Sequence, residues 1–278
     1  MSFIIEQTKK FFTVSFNKEW RMDEIEIIDT NPDNICDYGF CGIKNAKQEG
    51  YKRKTDWLKQ RFSEGMRFKI LHSAKEGSVG MIEYIPGRYA WRAVQAKGYM
   101  VIHCLFILYK KYQRKGYGSL LIEECITDAK REKMNGVVVV TRRGPWMAKK
   151  GLFLKNGFEL VDEAPPDFEL LVNKIKKSAN SPKFRGDWRE RLSPYSKGLT
   201  IIRSDQCPYL EKWVKEISET AQERYGLKAK VVELKTCKDA QNAPSAYGTF
   251  SIVYNGKLLA DHPISNKRFM NIMNKNFI

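Results

Sequence analysis

An apolar run over residues 99–109 leads into Gln113-Arg114-Lys115-Gly116-Tyr117-Gly118, and an amphipathic stretch follows over residues 119–133. No other feature constrains the fold as strongly. A run that is apolar throughout reads as a strand buried on both faces. The stretch after it has helical spacing, so the glycine turn joins a strand to a helix. At a helix N-terminus the unpaired backbone N–H groups and the positive end of the macrodipole face one point. Such a junction suits a phosphate or another anion. Gly116 and Gly118 let the backbone approach closely and accept positive φ. Gln113 and Lys115 add side-chain donors.

At 278 residues, 42% of them hydrophobic, the chain has room for one large domain or two. No apolar run approaches the roughly 20 residues of a membrane span. Residues 1–21 lack the apolar core of a secretory signal. A cytoplasmic protein is expected. The net charge is +17 and is spread over both halves. That balance fits a lysine-rich surface or a polyanionic ligand. Zinc-finger spacing, aromatic RNA-binding signatures and basic heptads are missing, so nucleic acid is not expected as a partner. Six cysteines without a C-x-x-C pair read as free thiols, and three histidines give no zinc pattern. No metal site is expected.

Residues 1–21 read as an N-terminal extension, with Met22 as the expected start of translation. Residues 22–29 alternate as a strand. Trp57, Leu58 and Phe62 mark a helix over 51–64, with Gly65 as its cap. Strands follow at 67–73 and 79–85, joined by a turn. An aromatic and basic loop at 88–97 carries Tyr89, Trp91 and Arg92. After the helix at 119–133 come a β-branched strand at 137–141, a helix at 146–156, and strands at 158–162 and 168–174. Residues 22–178 therefore form one α/β domain. Residues 179–198 are polar and interrupted by Pro and Gly, and read as a linker with ordered contact through Phe184 and Trp188. Residues 199–278 give strand, helix, strand, then a hairpin across Asn255-Gly256 and a closing helix. That is a second, smaller α/β domain, with Cys207 at the start of its first helix.

The strand, the Gln113–Gly118 turn and the helix resemble the Q/R-x-x-G-x-G/A motif of the GNAT superfamily of N-acetyltransferases. Leu152-Phe153-Leu154-Lys155-Asn156-Gly157-Phe158 resembles its second motif. Leu121 stands where a Rossmann loop needs its last glycine, and no Walker A Gly-Lys-Ser/Thr follows. Ile82-Glu83-Tyr84-Ile85-Pro86-Gly87, Tyr89-Ala90-Trp91-Arg92 and Cys207-Pro208-Tyr209 look like GNAT proteins with a YoaP-like C-terminal domain. The tail also resembles a thioredoxin-like fold. It departs from that pattern, because Leu210 stands where a resolving cysteine would be. The resemblance implies an α/β (α+β) fold: a GNAT mixed sheet flanked by helices, plus a small thioredoxin-like domain.

It further implies acetyl-CoA as co-substrate and direct attack by a primary amine, small molecule or peptide, in a ternary complex. Backbone groups of Arg114, Lys115, Gly116, Tyr117, Gly118 and Ser119, with the side chain of Gln113, would hold the pyrophosphate. Phe106 and Leu108 would pair with the pantetheine arm. Glu83 and His103 are the candidates for general base. Tyr89, Trp91 and Arg92 would border the acceptor. Phe153 stands where many members have a proton-donating Tyr, which leaves Tyr109, Tyr117 or water, and Trp146 replaces a frequent Asn. A homodimer is a further partner expectation. A coenzyme A sensor or scaffold is the alternative, or a thiol-redox protein acting through Cys207.

Overall fold

The computed structural model describes residues 25–43 and 45–277. The expected N-terminal extension and the expected start at Met22 lie outside the described residues. Strand β1 (Ile25–Asp29) and helix α1 (Glu49–Phe62) come first, followed by β2 (Arg67–Ser73) and β3 (Gly77–Pro86). A two-residue strand β4 (Val94–Gln95) precedes β5 (Met100–Ile107), which is the apolar run. Then come α2 (Tyr117–Arg131), β6 (Gly136–Thr141), α3 (Lys150–Lys155), β7 (Glu159–Ala164) and β8 (Phe168–Lys174). The seven long strands form one mixed sheet in the order β1-β2-β3-β5-β6-β8-β7. β5 and β6 run parallel, and α2 makes the crossover between them. The glycine turn therefore sits at the C-terminal end of a central strand.

The periodicity misplaces one helix. A start at 146 is ruled out because Trp146 has φ of 71°, and helix α3 begins only at Lys150. Helix α2 begins two residues earlier than its apolar spacing suggests, so Gly118 and Ser119 lie in its first turn.

The expected linker is largely ordered. Strand β9 (Lys183–Phe184) pairs with β4, Phe184 is buried, and Glu190–Tyr195 forms a 3-10 helix. The second domain follows as β10 (Leu199–Arg203), α4 (Leu210–Tyr225), β11 (Lys230–Glu233), α5 (Cys237–Gln241), β12 (Phe250–Tyr254), β13 (Lys257–Ala260) and α6 (Asn266–Phe277). Its sheet has the order β11-β10-β12-β13. Helix α5 is absent from the apolar pattern; a capping box between Thr236 and Asp239 starts it.

Strand β10 is buried along its whole length. Ile201 joins a core shared with Val101, Val138 and Leu170 of the first sheet, whereas Ile202 joins one shared with Phe40, Trp57 and Trp91. Alternate side chains of one strand thus pack into two cores that both cross the domain boundary. Burying such an Ile fully is worth about 1.5–3 kcal/mol. Gly50 records how closely the domains meet, because a Cβ there would sit 1.9 Å from the Pro208 carbonyl oxygen.

Candidate functional site

β5 and β6 part company halfway along. Their register runs from Met100↔Val137 to Ile102↔Val139 and stops, though β5 continues to Ile107 and β6 to Thr141. A cavity of about 970 Å³ fills the gap, lined by Leu105 and Ile107 on one side and Val139 and Val140 on the other. The register corrects one expectation. Leu108 gives its N–H to the Val79 carbonyl at 2.8 Å, on the β3 side. By the two-residue alternation of a ladder, Phe106 faces β3 as well, and the backbone groups left to the gap belong to Leu105 and Ile107. Phe106 and Leu108 still line the cavity.

At the end of β5 the Gln113 side chain donates to the Ile107 carbonyl at 3.0 Å, which ties the turn to the strand. Gly116 is the N-cap of α2, with φ of 86°. Among the described residues, the backbone N–H groups of Arg114, Lys115, Gly116, Gly118 and Ser119 make no hydrogen bond. Gln113, Arg114, Gly116, Gly118 and Ser119 line the cavity. Lys115 is exposed beside it, and the Tyr117 ring packs on Tyr112. The rim is cationic, with exposed Arg114, Lys149 and Lys155.

Deeper in, a β-bulge sets the chemistry. Glu83 pairs with Cys104 and Tyr84 with Ile102, so His103 has no partner in the β3–β5 ladder. Bulges re-aim side chains, and here one brings His103 against Glu83. The His103 Nδ1 lies 3.2 Å from Glu83 Oε1, and its Nε2 accepts the Trp91 backbone N–H at 2.9 Å. A nitrogen that accepts carries no proton, so His103 is the neutral tautomer with its hydrogen on Nδ1. Burial favours this neutral form and draws the imidazole pKa down to about 4, against the hydrogen bond to Glu83, which pulls it up. Glu83 also accepts from the Lys54 ammonium and, at 2.7 Å, from Gln206 Nε2. Burial alone would raise its carboxyl; Lys54 and His103 overrule that and hold it at about 2. Glu83 and His103 thus stand together on the cavity, but with most of their hydrogen-bonding capacity taken.

Arg92 reaches the same place, whereas Tyr89 and Trp91 do not line the cavity. Trp91 is buried edge-on against Trp57, with ring centroids 5.2 Å apart, and Tyr89 lies beside Arg88. The loop that reads as an overhang lies underneath the second domain: a Cβ on Gly248 would come within 2.9 Å of the Arg92 Cα.

The second domain forms the roof. Gln206, Cys207, Pro208, Tyr209 and Tyr247 all line the cavity. The Tyr209 hydroxyl donates to the Cys41 carbonyl, and Trp146 packs edge-on against Trp213 at 4.8 Å. Cys41 and Cys104 line it too, and burial pushes their thiols up, that of Cys104 to about 12. Burial also raises the Cys207 thiol. Phe153 is fully buried on the cavity wall, edge-on to Phe158 at 5.4 Å. Tyr109 and Tyr117, its nearest replacements by sequence, do not line the cavity; Tyr209 and Tyr247 do. Among the described residues no cluster of His, Cys, Asp and Glu could hold a metal ion, and no helix is long and apolar enough to cross a membrane.

Sequence reasoning misses Lys54, Gln206 and Tyr247. Lys54 had a signal: it lies three residues after Tyr51 and four before Leu58, on the buried face of α1. Gln206 and Tyr247 had none, because a domain interface brings them in.

A family model described as "Acetyltransferase (GNAT) family" matches residues 36–158, and one described as "YoaP-like" matches residues 229–271. A curated relative from Bacillus subtilis (strain 168), "Uncharacterized N-acetyltransferase YoaP", is 31% identical over 251 residues, covering 89% of this chain and 98% of the relative. Solved structures also match. The PaiA N-acetyltransferase from Thermoplasma acidophilum, in complex with coenzyme A, is 18% identical with a TM-score of 0.38, covering 54% of this chain and 99% of that one. YncA from Salmonella typhimurium, a putative acetyltransferase with acetyl-CoA, is 14% identical with a TM-score of 0.41, covering 56% and 96%. On the full-length likeness to the Bacillus relative, this chain belongs to the GNAT family of N-acetyltransferases and carries a YoaP-like domain.

Proposed function

We propose that the protein transfers an acetyl group from acetyl-CoA to a primary amine by direct attack in a ternary complex. The observation that carries this is the parting of β5 from β6, with unpaired backbone N–H groups of the glycine turn at one end and the Glu83–His103 pair at the other. Leu105 and Ile107 offer backbone groups to the pantetheine arm. The turn receives the pyrophosphate on the N–H groups of Arg114, Lys115, Gly116, Gly118 and Ser119, which make no hydrogen bond among the described residues. Exposed Arg114, Lys149 and Lys155 add positive charge at the rim.

The acceptor amine lies against Glu83. A carboxylate accepts at about four lone-pair sites, and three donors occupy Glu83. The remaining site accepts an N–H of the amine and aims its nitrogen at the thioester carbonyl. The N–C bond forms and the C–S bond breaks. A carboxyl held at about 2 does not keep the proton of an ammonium, so that proton leaves to water. A simple thiol has a pKa near ~8.5, so the thiolate leaves without the missing Tyr. The thiol-redox alternative is weakened by the burial of Cys207 and by Leu210 in place of a resolving thiol.

Acetyl-CoA is expected to raise the melting temperature of the full chain, and a screen of primary amines is expected to release free coenzyme A thiol. Absence of any shift at millimolar acetyl-CoA would refute the proposal.

A further inference from the structure

Charge in the inner cavity does not balance. Glu83 is the one carboxylate among the described lining residues. Two cations face it in the interior, Lys54 and Arg92, at 1% and 4% exposure. His103 is neutral by its hydrogen bonds, and the thiols of Cys41, Cys104 and Cys207 and the phenol of Tyr247 are all pushed up by burial, so none supplies a negative charge. Lys54 pairs with Glu83. Arg92 pairs with no carboxylate within ion-pair distance among the described residues. Its Nη1 donates to the Trp91 carbonyl at 2.8 Å and the Gln206 side-chain oxygen at 2.9 Å, and its Nη2 to the His103 carbonyl at 2.6 Å. All three acceptors are neutral, and the remaining face packs on the Tyr247 ring, 5.3 Å from its centroid.

A guanidinium has five N–H donors. Three are used here. The N–H on Nε and one on Nη2 make no hydrogen bond among the described residues, which is the number a carboxylate takes in a bidentate pair. Keeping a charge out of water without a counter-ion is costly, and proteins normally pair it. The exposed cations at the rim do not share this problem, since water solvates them. An uncompensated guanidinium deep in a ligand cavity is explained most economically if the ligand brings the anion.

Gln206 sets the spacing. One end of its amide donates to Glu83 and the other accepts from Arg92, so a single amide group separates the anion from the free cation. We propose that the acceptor is an amine bearing a carboxylate a few bonds away, as in an α-amino acid, and that Arg92 binds that carboxylate through its two remaining N–H groups. This rests on the acetyltransferase reading above and gives its acceptor a chemical class. The amine nitrogen lies on Glu83 and the carboxylate on Arg92, which fixes the zwitterion at both ends and aims the nitrogen at the thioester.

The test uses matched probes on the full chain: phenylalanine with phenethylamine, lysine with cadaverine, and arginine with agmatine. Each pair differs by one carboxylate. Release of coenzyme A thiol from acetyl-CoA gives kcat/KM, and melting with coenzyme A gives binding without turnover. At least one amino acid is expected to exceed its decarboxylated partner tenfold or more, about 1.4 kcal/mol in the arithmetic of affinity. In R92M that preference is expected to fall to near unity while coenzyme A still stabilises the protein. R92K, which keeps the charge but not the fork, is expected to raise KM for the amino acid by a larger factor than KM for the plain amine, so that the preference narrows; it decides the matter if R92M does not fold. Equal or better turnover of the decarboxylated amines, a preference that survives in folded R92M, or turnover and stabilisation by none of the six probes would overturn the assignment while the cofactor reading stands. If coenzyme A also fails to stabilise the wild type, the acetyltransferase reading falls and takes this inference with it.

Discussion

Single residues decide what the inner cavity can do. Glu83 and His103 are each a candidate general base in sequence, yet most of their lone pairs are spent on structure. His103 holds the Trp91 N–H, and Glu83 holds Lys54 and Gln206. The direction of both shifts has a measurable sign. His103 is drawn from 6.5 to about 4 and Glu83 from 4.5 to about 2, so the folded chain binds fewer protons than the unfolded one. The stability they contribute is complete above pH 6.5. It is lost as pH falls, first through His103 between 6.5 and 4, then through Glu83 between 4.5 and 2. At ~1.4 kcal/mol per pH unit, the His103 part is on the order of 3 kcal/mol. Urea unfolding at pH 7.5, 6 and 5 is expected to show this decline, and H103Q is expected to flatten it. A wild-type stability level from 7.5 to 5 would mean that His103 takes a proton inside the fold at no cost. Much of this was hidden in the sequence. Two titratable residues on neighbouring strands are legible; the bulge that turns His103 onto Glu83 is not, because an extra residue in one strand leaves the hydrophobic pattern intact.

The elements themselves were largely legible. β2 and β8 have the bounds their alternation and turn residues predict, and the strand, helix, strand and hairpin of the second domain come in the predicted order, because apolar period and punctuation agree there. What failed was register and termination. The backbone groups facing the gap shift from Phe106 and Leu108 to Leu105 and Ile107, since the pairing partner sets which side an amide faces. The first turn of the expected helix at 146–156 is lost to a left-handed Trp146. The turn before α2 was read correctly from its glycines. Gly116 has open space around its absent Cβ, so its requirement is conformational: φ of 86° is a value that L-residues resist by roughly 1–2 kcal/mol. A G116V chain is expected to stay folded and lose most of its stabilisation by acetyl-CoA, since the whole turn must move to relieve the strain. Thermal melts with and without the ligand check this, and an unchanged ligand shift would remove the turn from the binding site.

At the scale of the whole molecule, the boundary between domains is a line in the sequence and not a seam in the structure. β10 sends Ile201 into one shared core and Ile202 into another. Arg142 after β6 donates to Asp167 at 2.6 Å and to Asp261 of the second domain at 2.8 Å. Arg53 of α1 pairs with Asp205, Glu211 and Glu233. With two cores and two ion clusters crossing, the halves are expected to unfold together. Scanning calorimetry is expected to show a single transition whose van't Hoff and calorimetric enthalpies agree; two resolved peaks would contradict the shared cores. None of this coupling was legible, because each half carries a complete pattern of its own. The roof of the cavity is where the coupling bears on chemistry. Gln206, Cys207 and Tyr247 line the inner cavity with Glu83 and Arg92, from outside the sheet that carries the glycine turn. On the reading proposed above, the first domain holds the acceptor through Glu83 and Arg92, and the second domain covers it. A lineage built this way can reshape the roof of the cavity through the second domain while Glu83 and Arg92 stay where the first domain holds them. It inherits the two halves as one unit, because neither half closes the cavity alone.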